Sequence, residues 1–208
     1  MTAAAQRTVG VIILGAGASV RMGTPKLLLP WRGSTVIGYL LAQWRELGAA
    51  QITVVMRAPD PALAAELDRL DFPQADRIAN PQPERGMFSS VVCAARWTGW
   101  RAEISRRAVV LGDQPHLQTE TLRGLLEFSA HHPAAICQPA LGGRPGHPVV
   151  LPPGAFAEFK NSPAATLKEF LKLTDRPRLD HAVADPGLLV DLDTPADYQH
   201  WLALPGAG

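Results

Sequence analysis

The chain has 208 residues, enough for a substantial buried core and suited to one α/β domain. Twenty Lys and Arg stand against nineteen Asp and Glu, so no basic face is implied and nucleic acid is not an expected partner. Two isolated cysteines, Cys93 and Cys137, form neither a CxxC pair nor a zinc spacing and read as reduced core residues of a cytoplasmic protein; no apolar run reaches membrane-spanning length.

Residues 1–8, MTAAAQRT, lack the charged and apolar regions of a signal peptide and are expected to be frayed. Val9 to Leu14 is a nearly unbroken apolar run, the pattern of a strand buried on both faces of a parallel sheet. It discharges into Gly15-Ala16-Gly17-Ala18-Ser19, where backbone amides with few side chains can adopt unusual φ and approach a ligand closely. Arg21 and Lys26 supply two cations just beyond. A glycine-rich turn followed by paired cations is chemistry for a polyphosphate. A P-loop would need Gly-Lys-Ser/Thr, which Gly23-Thr24-Pro25-Lys26 does not supply. A dinucleotide fingerprint would need glycine where Val20 stands, and a helix that Gly23 and Pro25 break. Arg57, after the next strand, keeps a 2′-phosphate contact, and with it an NADP enzyme, as a rival reading.

Further along, Ser34 is expected to cap a helix whose Val36, Ile37, Leu40, Leu41, Trp44 and Leu47 recur with helical spacing, closed by Gly48. Ile52 to Met56 reads as the second buried strand. Asp60-Pro61 opens a helix marked by Leu63, Leu67 and Leu70, and a short strand follows around 76–79. The runs 108–111 and 134–137 are of strand length, separated by a helix carrying Leu122, Leu125 and Leu126. Strands alternating with helices predict a mostly parallel sheet covered on both faces, a Rossmann-like three-layer domain with ligands at the carboxyl ends of the strands.

Four later stretches carry chemistry. In 80–90, Asn80 leads to Gly86, which permits a tight approach, and to Ser89 and Ser90, whose hydroxyls stand beside free helix amides or simply cap the helix. Gly112-Asp113-Gln114-Pro115 places an acid just past a buried strand, as a turn cap or, beside a triphosphate, as a ligand for Mg²⁺. In 141–151 three glycines and two prolines shape a loop around Arg144 and His147 that leads into a strand. Asp191 and Asp193 alternate on an extended segment, ahead of a helix start spelled by Thr194, Pro195 and Asp197.

The stretch Leu14–Leu28 resembles the signature loop of the MobA-like nucleotidyltransferases, L-A-[AG]-G-x-S-x-R-M-G-x-x-K-x-L, departing at Gly15. The segments N-P-x-x-x-x-G-M-F-S-S from Asn80, G-D-x-P from Gly112, R-x-G-H-P-V from Arg144 and D-x-D-T-P-x-D from Asp191 resemble the rest of that family's pattern, the first of them in its molybdenum cofactor cytidylyltransferase branch. The resemblance implies a single nucleotidyltransferase domain of GT-A-like fold. It also implies a nucleotide site built from Leu14, Gly15, Ala16, Gly17, Arg21, Met22, Gly23, Lys26, Asn80, Gly86, Ser90 and Asp113. Arg21, Lys26 and Asp113 would be catalytic, Mg²⁺ would sit on Asp113 and Asp193 rather than Asp191, and Arg144 and His147 would meet the acceptor. The implied reaction moves CMP from CTP to a molybdopterin phosphate and releases pyrophosphate, with docking to a molybdenum hydroxylase expected. CTP is favoured because Ala16 fits the L-A-A-G form of the loop. The alternatives are a relative using GTP or another small phosphate such as a sugar phosphate, and a cofactor chaperone without turnover.

Overall fold

The computed structural model describes residues 8–17 and 22–204; the expectation for residues 1–7 and the part assigned to Arg21 lie outside these. In chain order the strands are β1 (Thr8–Leu14), β2 (Pro30–Trp31), β3 (Ser34–Thr35), β4 (Gln51–Arg57), β5 (Arg77–Asn80), β6 (Ile104–Leu111), β7 (Ile136–Leu141), β8 (Arg144–Pro145), β9 (Val149–Leu151) and β10 (Arg178–Ala182). The helices are α1 (Val36–Glu46), α2 (Pro61–Arg69), α3 (Met87–Arg96), α4 (Thr119–His131), α5 (Pro153–Glu158), α6 (Leu167–Leu173) and α7 (Pro195–Ala203).

One sheet runs β10-β7-β9-β6-β1-β4-β5, with β8 paired to β7. Strand alternation sorts its core into two layers. Val11 and Ile13 of β1 pack with α1, α2 and α4 on one face, and Ile12 packs with α3, α5 and α6 on the other, all three without exposed surface. This is the expected three-layer α/β arrangement with a mostly parallel sheet.

The departures are local. Thr35, not Ser34, caps α1, accepting from the Gly38 amide at 3.2 Å, because Ser34 is held in β3 against Trp31. Thr8, expected to be frayed, already pairs with Ile104 in β6. That strand begins four residues earlier than its apolar run, since Arg106 is buried and the Arg107 guanidinium lies over the Trp100 and Phe156 rings at 5.0 and 4.9 Å. The strand expected at 134–137 runs 136–141 instead. There Gly142 and Gly143, at φ +56° and +77°, turn the chain straight back without a helical crossover, so β9 inserts antiparallel between β6 and β7. The caps at Asp60-Pro61 and Thr194-Pro195-Asp197 form as read, the latter as a reciprocal capping box. Among the described residues no helix is long and apolar enough to cross a membrane.

Candidate functional site

From β1 the chain steps outward to β4 and β5, and then returns to the other side of β1 as β6. The reversal opens a crevice at the carboxyl ends of β1 and β6. Leu14 and Leu111 are register partners, so the turns after the two strands leave side by side. Gly112 N donates to the Leu14 carbonyl at 3.2 Å, and a Cβ there would lie 2.7 Å from that oxygen and 2.8 Å from Leu27 Cδ2. Gly15 N donates to the Val55 carbonyl at 2.7 Å, which extends the β1–β4 pairing and takes this amide away from any phosphate. A Cβ at Gly15 would lie 2.8 Å from Leu27 Cδ1. Leu27 therefore fills the space between both glycines, and the departure from the family's loop at Gly15 has a packing reason.

Leu27 belongs to a short 3₁₀ turn, Lys26–Leu28, that carries Lys26 over this junction. Lys26 Nζ donates to Asp113 Oδ2 at 3.0 Å and to Asp193 Oδ1 at 2.7 Å. The backbone fixes this meeting: Leu192 N donates to the Asp113 carbonyl at 3.1 Å, and the Leu192 side chain is buried in the core. Asp191 and Asp193 flank that anchor, with Asp193 N donating to the Asp191 carbonyl at 2.9 Å. Gln114 Nε2 contacts Asp191 Oδ1 at 3.0 Å and the Val190 carbonyl at 3.2 Å. His116 Nε2 lies 3.1 Å from the carbonyls of both Gly187 and Val190, and its ring stacks on Trp201 of α7. Gln114 and His116 thus tie the turn after β6 to the segment bearing both aspartates; neither had a role in the sequence reading, because their partners lie more than 70 residues away.

The electrostatics follow from this crowding. Burial alone would lower the Lys26 pKa, but the hydrogen bond to Asp193 and the charge of Asp113 outweigh it and hold the ammonium above its usual value. Lost hydration, then the like charges of Asp113 and Asp193, push the Asp191 carboxyl up. Asp113 and Asp193 both reach one ammonium, so their oxygens converge on a single point, and hard carboxylate oxygens are the donor set that Mg²⁺ or a similar cation takes. Among the described residues no group of three or more His, Cys, Asp or Glu gathers as a metal cage. Two carboxylates fit an ion that completes its shell with water and substrate phosphate.

The triad stands at one wall of a cleft of about 720 Å³, within the range of small-molecule sites. Leu14, Gly15, Ala16, Gly17, Lys26, Gly86, Ser90 and Asp113 line it, and so do Asp191, Asp193 and Arg57. Met22, Gly23 and Asn80 are not among its lining. Asn80 is fully buried and its side chain is consumed locally: Nδ2 donates to Ser89 Oγ at 2.8 Å and Ser90 Oγ at 2.9 Å, and Oδ1 accepts from Gln82 N. Its part is to aim Ser90 and the start of α3. Arg144 is exposed on the β7–β8 hairpin, away from the cleft lining. His147 Nδ1 lies 3.4 Å from the Val109 carbonyl in β6; burial pushes its imidazole pKa down, against the opposing pull of Asp113.

Solved nucleotidyltransferase structures share this α/β fold, and at its switch point this chain carries a lysine and two carboxylates, groups suited to phosphate and to a cation. The family of the MobA-like NTP transferase domain matches residues 11–184, and the chain belongs to it. The bifunctional protein GlmU of Clavibacter sepedonicus is 33% identical over 130 residues, 61% of this chain. The chain spans only about a quarter of the length of the GlmU relatives it matches. The molybdenum cofactor cytidylyltransferase of Escherichia coli is 25% identical over 90% of this chain and 92% of its own. Nicotine blue oxidoreductase of Paenarthrobacter nicotinovorans is 30% identical over 69% of this chain and 70% of its own. The crystal structure of Rv0371c from Mycobacterium tuberculosis superposes with a TM-score of 0.72 at 30% identity, covering 98% of this chain and all of that one. A manganese complex of Rv0371c also matches, with a TM-score of 0.66 at 25% identity, covering 94% of this chain and 98% of that one.

Proposed function

We propose that this chain transfers CMP from CTP to the phosphate of a molybdopterin-type acceptor, with release of pyrophosphate. The observation that carries the reading is the single ammonium of Lys26 joining Asp113 and Asp193 at the wall of a nucleotide-sized cleft. The acceptor phosphate is ionised near neutral pH and needs no general base. Its oxygen attacks the α-phosphorus in line; one P–O bond forms and the bond to the β-phosphate oxygen breaks. The protein's work is positioning and charge stabilisation. Asp113 and Asp193 would hold Mg²⁺, which supplies charge neutralisation across the donor and acceptor phosphates. Lys26, and Arg21 by resemblance to the family's loop, supply the remaining positive charge. Ser90, aimed by Asn80 at the start of α3, faces the nucleoside, and Arg144 and His147 belong to the acceptor side. Similarity to the Escherichia coli cytidylyltransferase over nearly its whole length supports CTP as donor. The molybdenum hydroxylase that receives the product is the expected docking partner.

Pyrophosphate release, followed with each NTP, Mg²⁺ and molybdopterin, tests the reading. The expected result is CTP well above GTP, and equal or reversed rates would remove the cytidylyl assignment. Turnover with another small phosphate in place of molybdopterin would keep the transferase and replace the acceptor. A second reading, an NADP-dependent reductase, draws on similarity to nicotine blue oxidoreductase and on Arg57 in the cleft. It requires nicotinamide cofactor binding and no pyrophosphate.

A further inference from the structure

Arg57 is a charge in the cleft for which the transferase reading has no task. Its backbone ends β4, fixed by pairing with Asn80 of β5 and by the bond from Ala58 N to the Asn80 carbonyl at 3.1 Å. The side chain is half-buried and lines the cleft. Among the described residues it makes no hydrogen bond or ion pair, although Asp60 and Glu84 line the same cavity. A guanidinium at a cleft wall without a protein acceptor offers its planar fork of N–H donors to a ligand.

Strand order decides which part of the substrate meets it. Lys26 and Asp113 stand over the ends of β1 and β6, whereas β4 lies on the far side of β1, roughly 10 Å from β6 at ordinary strand spacing. The same flank supplies Gly86, Met87 and Ser90 from the start of α3. Arg144 and His147 lie on the opposite flank, by β7, β8 and β9. In-line transfer places the attacking acceptor oxygen opposite the departing pyrophosphate, on one axis through the reacting phosphorus. With Ser90 facing the nucleoside, as proposed above, the base occupies the β4–β5 flank, where Arg57 ends its strand.

We propose that Arg57 selects the base of the donor nucleotide, its fork donating to two adjacent acceptors on the pairing edge of cytosine. Cytosine presents N3 and O2 side by side as acceptors. Uracil and guanine place an N–H donor in the middle of that edge, and adenine offers one acceptor between an amino group and a C–H. Guanine matches the fork only on its other edge, at O6 and N7. A lysine in this place keeps the charge and loses the two-pronged match.

The inference rests on the transferase reading, and the test separates the two. Values of kcat/KM for CTP, UTP and GTP are compared in the wild type, Arg57→Gln and Arg57→Lys at fixed acceptor and Mg²⁺. Binding of each NTP without acceptor is measured by equilibrium dialysis. In both variants the wild-type preference for CTP over UTP should fall by about tenfold or more, expressed in KM and in CTP binding. An unchanged ratio overturns the inference. So does an equal loss for all three nucleotides that Arg57→Lys restores, because Arg57 would then act as a charge for phosphate. If the wild type releases no pyrophosphate with any NTP, the transferase reading fails instead. The dialysis ratio then decides the base preference by itself: a wild-type preference for CTP lost in both variants sustains the role of Arg57, and any other pattern overturns it.

Discussion

Replacing Lys26 with methionine keeps the side chain as far as Cε and removes the ammonium that joins Asp113 to Asp193. Both carboxylate oxygens lie within 3.0 Å of the wild-type Nζ, so they stand less than about 6 Å from each other. At an effective dielectric near 20, two such charges repel by about 3 kcal/mol. The two aspartate side chains are 29% and 28% exposed, and solvent screening brings the repulsion down to about 1–2 kcal/mol. The ammonium relieves this repulsion and, by occupying the same point, competes with a divalent cation. Lys26→Met should therefore move two properties in opposite directions. Urea unfolding in EDTA should show a stability loss of about 1–2 kcal/mol that shrinks as Mn²⁺ is added. Electron paramagnetic resonance titration should show tighter Mn²⁺ binding than in the wild type without nucleotide. Turnover should nevertheless fall by about 10²–10³, the usual cost of losing one charge-stabilising donor. A stability deficit that metal leaves untouched, or an unchanged Mn²⁺ affinity, would refute the idea that the two carboxylates form one cation site. Wild-type turnover would remove Lys26 from the chemistry.

Gly112→Ala should cost about 1–3 kcal/mol, because its Cβ would meet the hydrogen-bonded Leu14 carbonyl at 2.7 Å, a backbone atom that cannot yield. Gly15→Ala should cost less, since its nearest obstacle is the tip of Leu27; equal losses in urea unfolding would contradict this view of the strand ends. Burial holds the His116 imidazole below its usual pKa, while the unfolded chain protonates near pH 6.5. As pH falls through about 6.5 the unfolded state takes up a proton that the native state does not, so stability declines toward pH 5. His116→Gln should flatten that decline, and an unaltered slope between pH 7 and pH 5 would refute the assignment. His147, lowered for the same reason, accounts for part of the remaining slope.

The residues of the triad were legible one at a time, each as an acid or a cation just past a strand or turn. Their meeting was implied only by the resemblance to the family and not by spacing, since Lys26 is 87 residues from Asp113 and 167 from Asp193. Nothing in the spacing shows that Leu192 would anchor to the Asp113 carbonyl, or that Gln114 would engage Asp191 while Asp193 turned to Lys26. Asn80 shows the same dependence on tertiary contacts. Its motif reads as ligand-facing, whereas two serines and the Gln82 amide take up its side chain inside the core.

What the sequence by itself determined is what a few neighbouring residues can satisfy among themselves. The apolar run of β1 marks a buried strand by itself, and the caps at Asp60 and Thr194 meet their hydrogen bonds within one turn. The tertiary structure alone decided the antiparallel insertion of β9, the wedge of Leu27 between two glycines, and the place of Arg57 on the flank opposite Arg144. Those follow from strand order, and strand order is set by the burial of two apolar layers over the whole chain, which no single segment encodes.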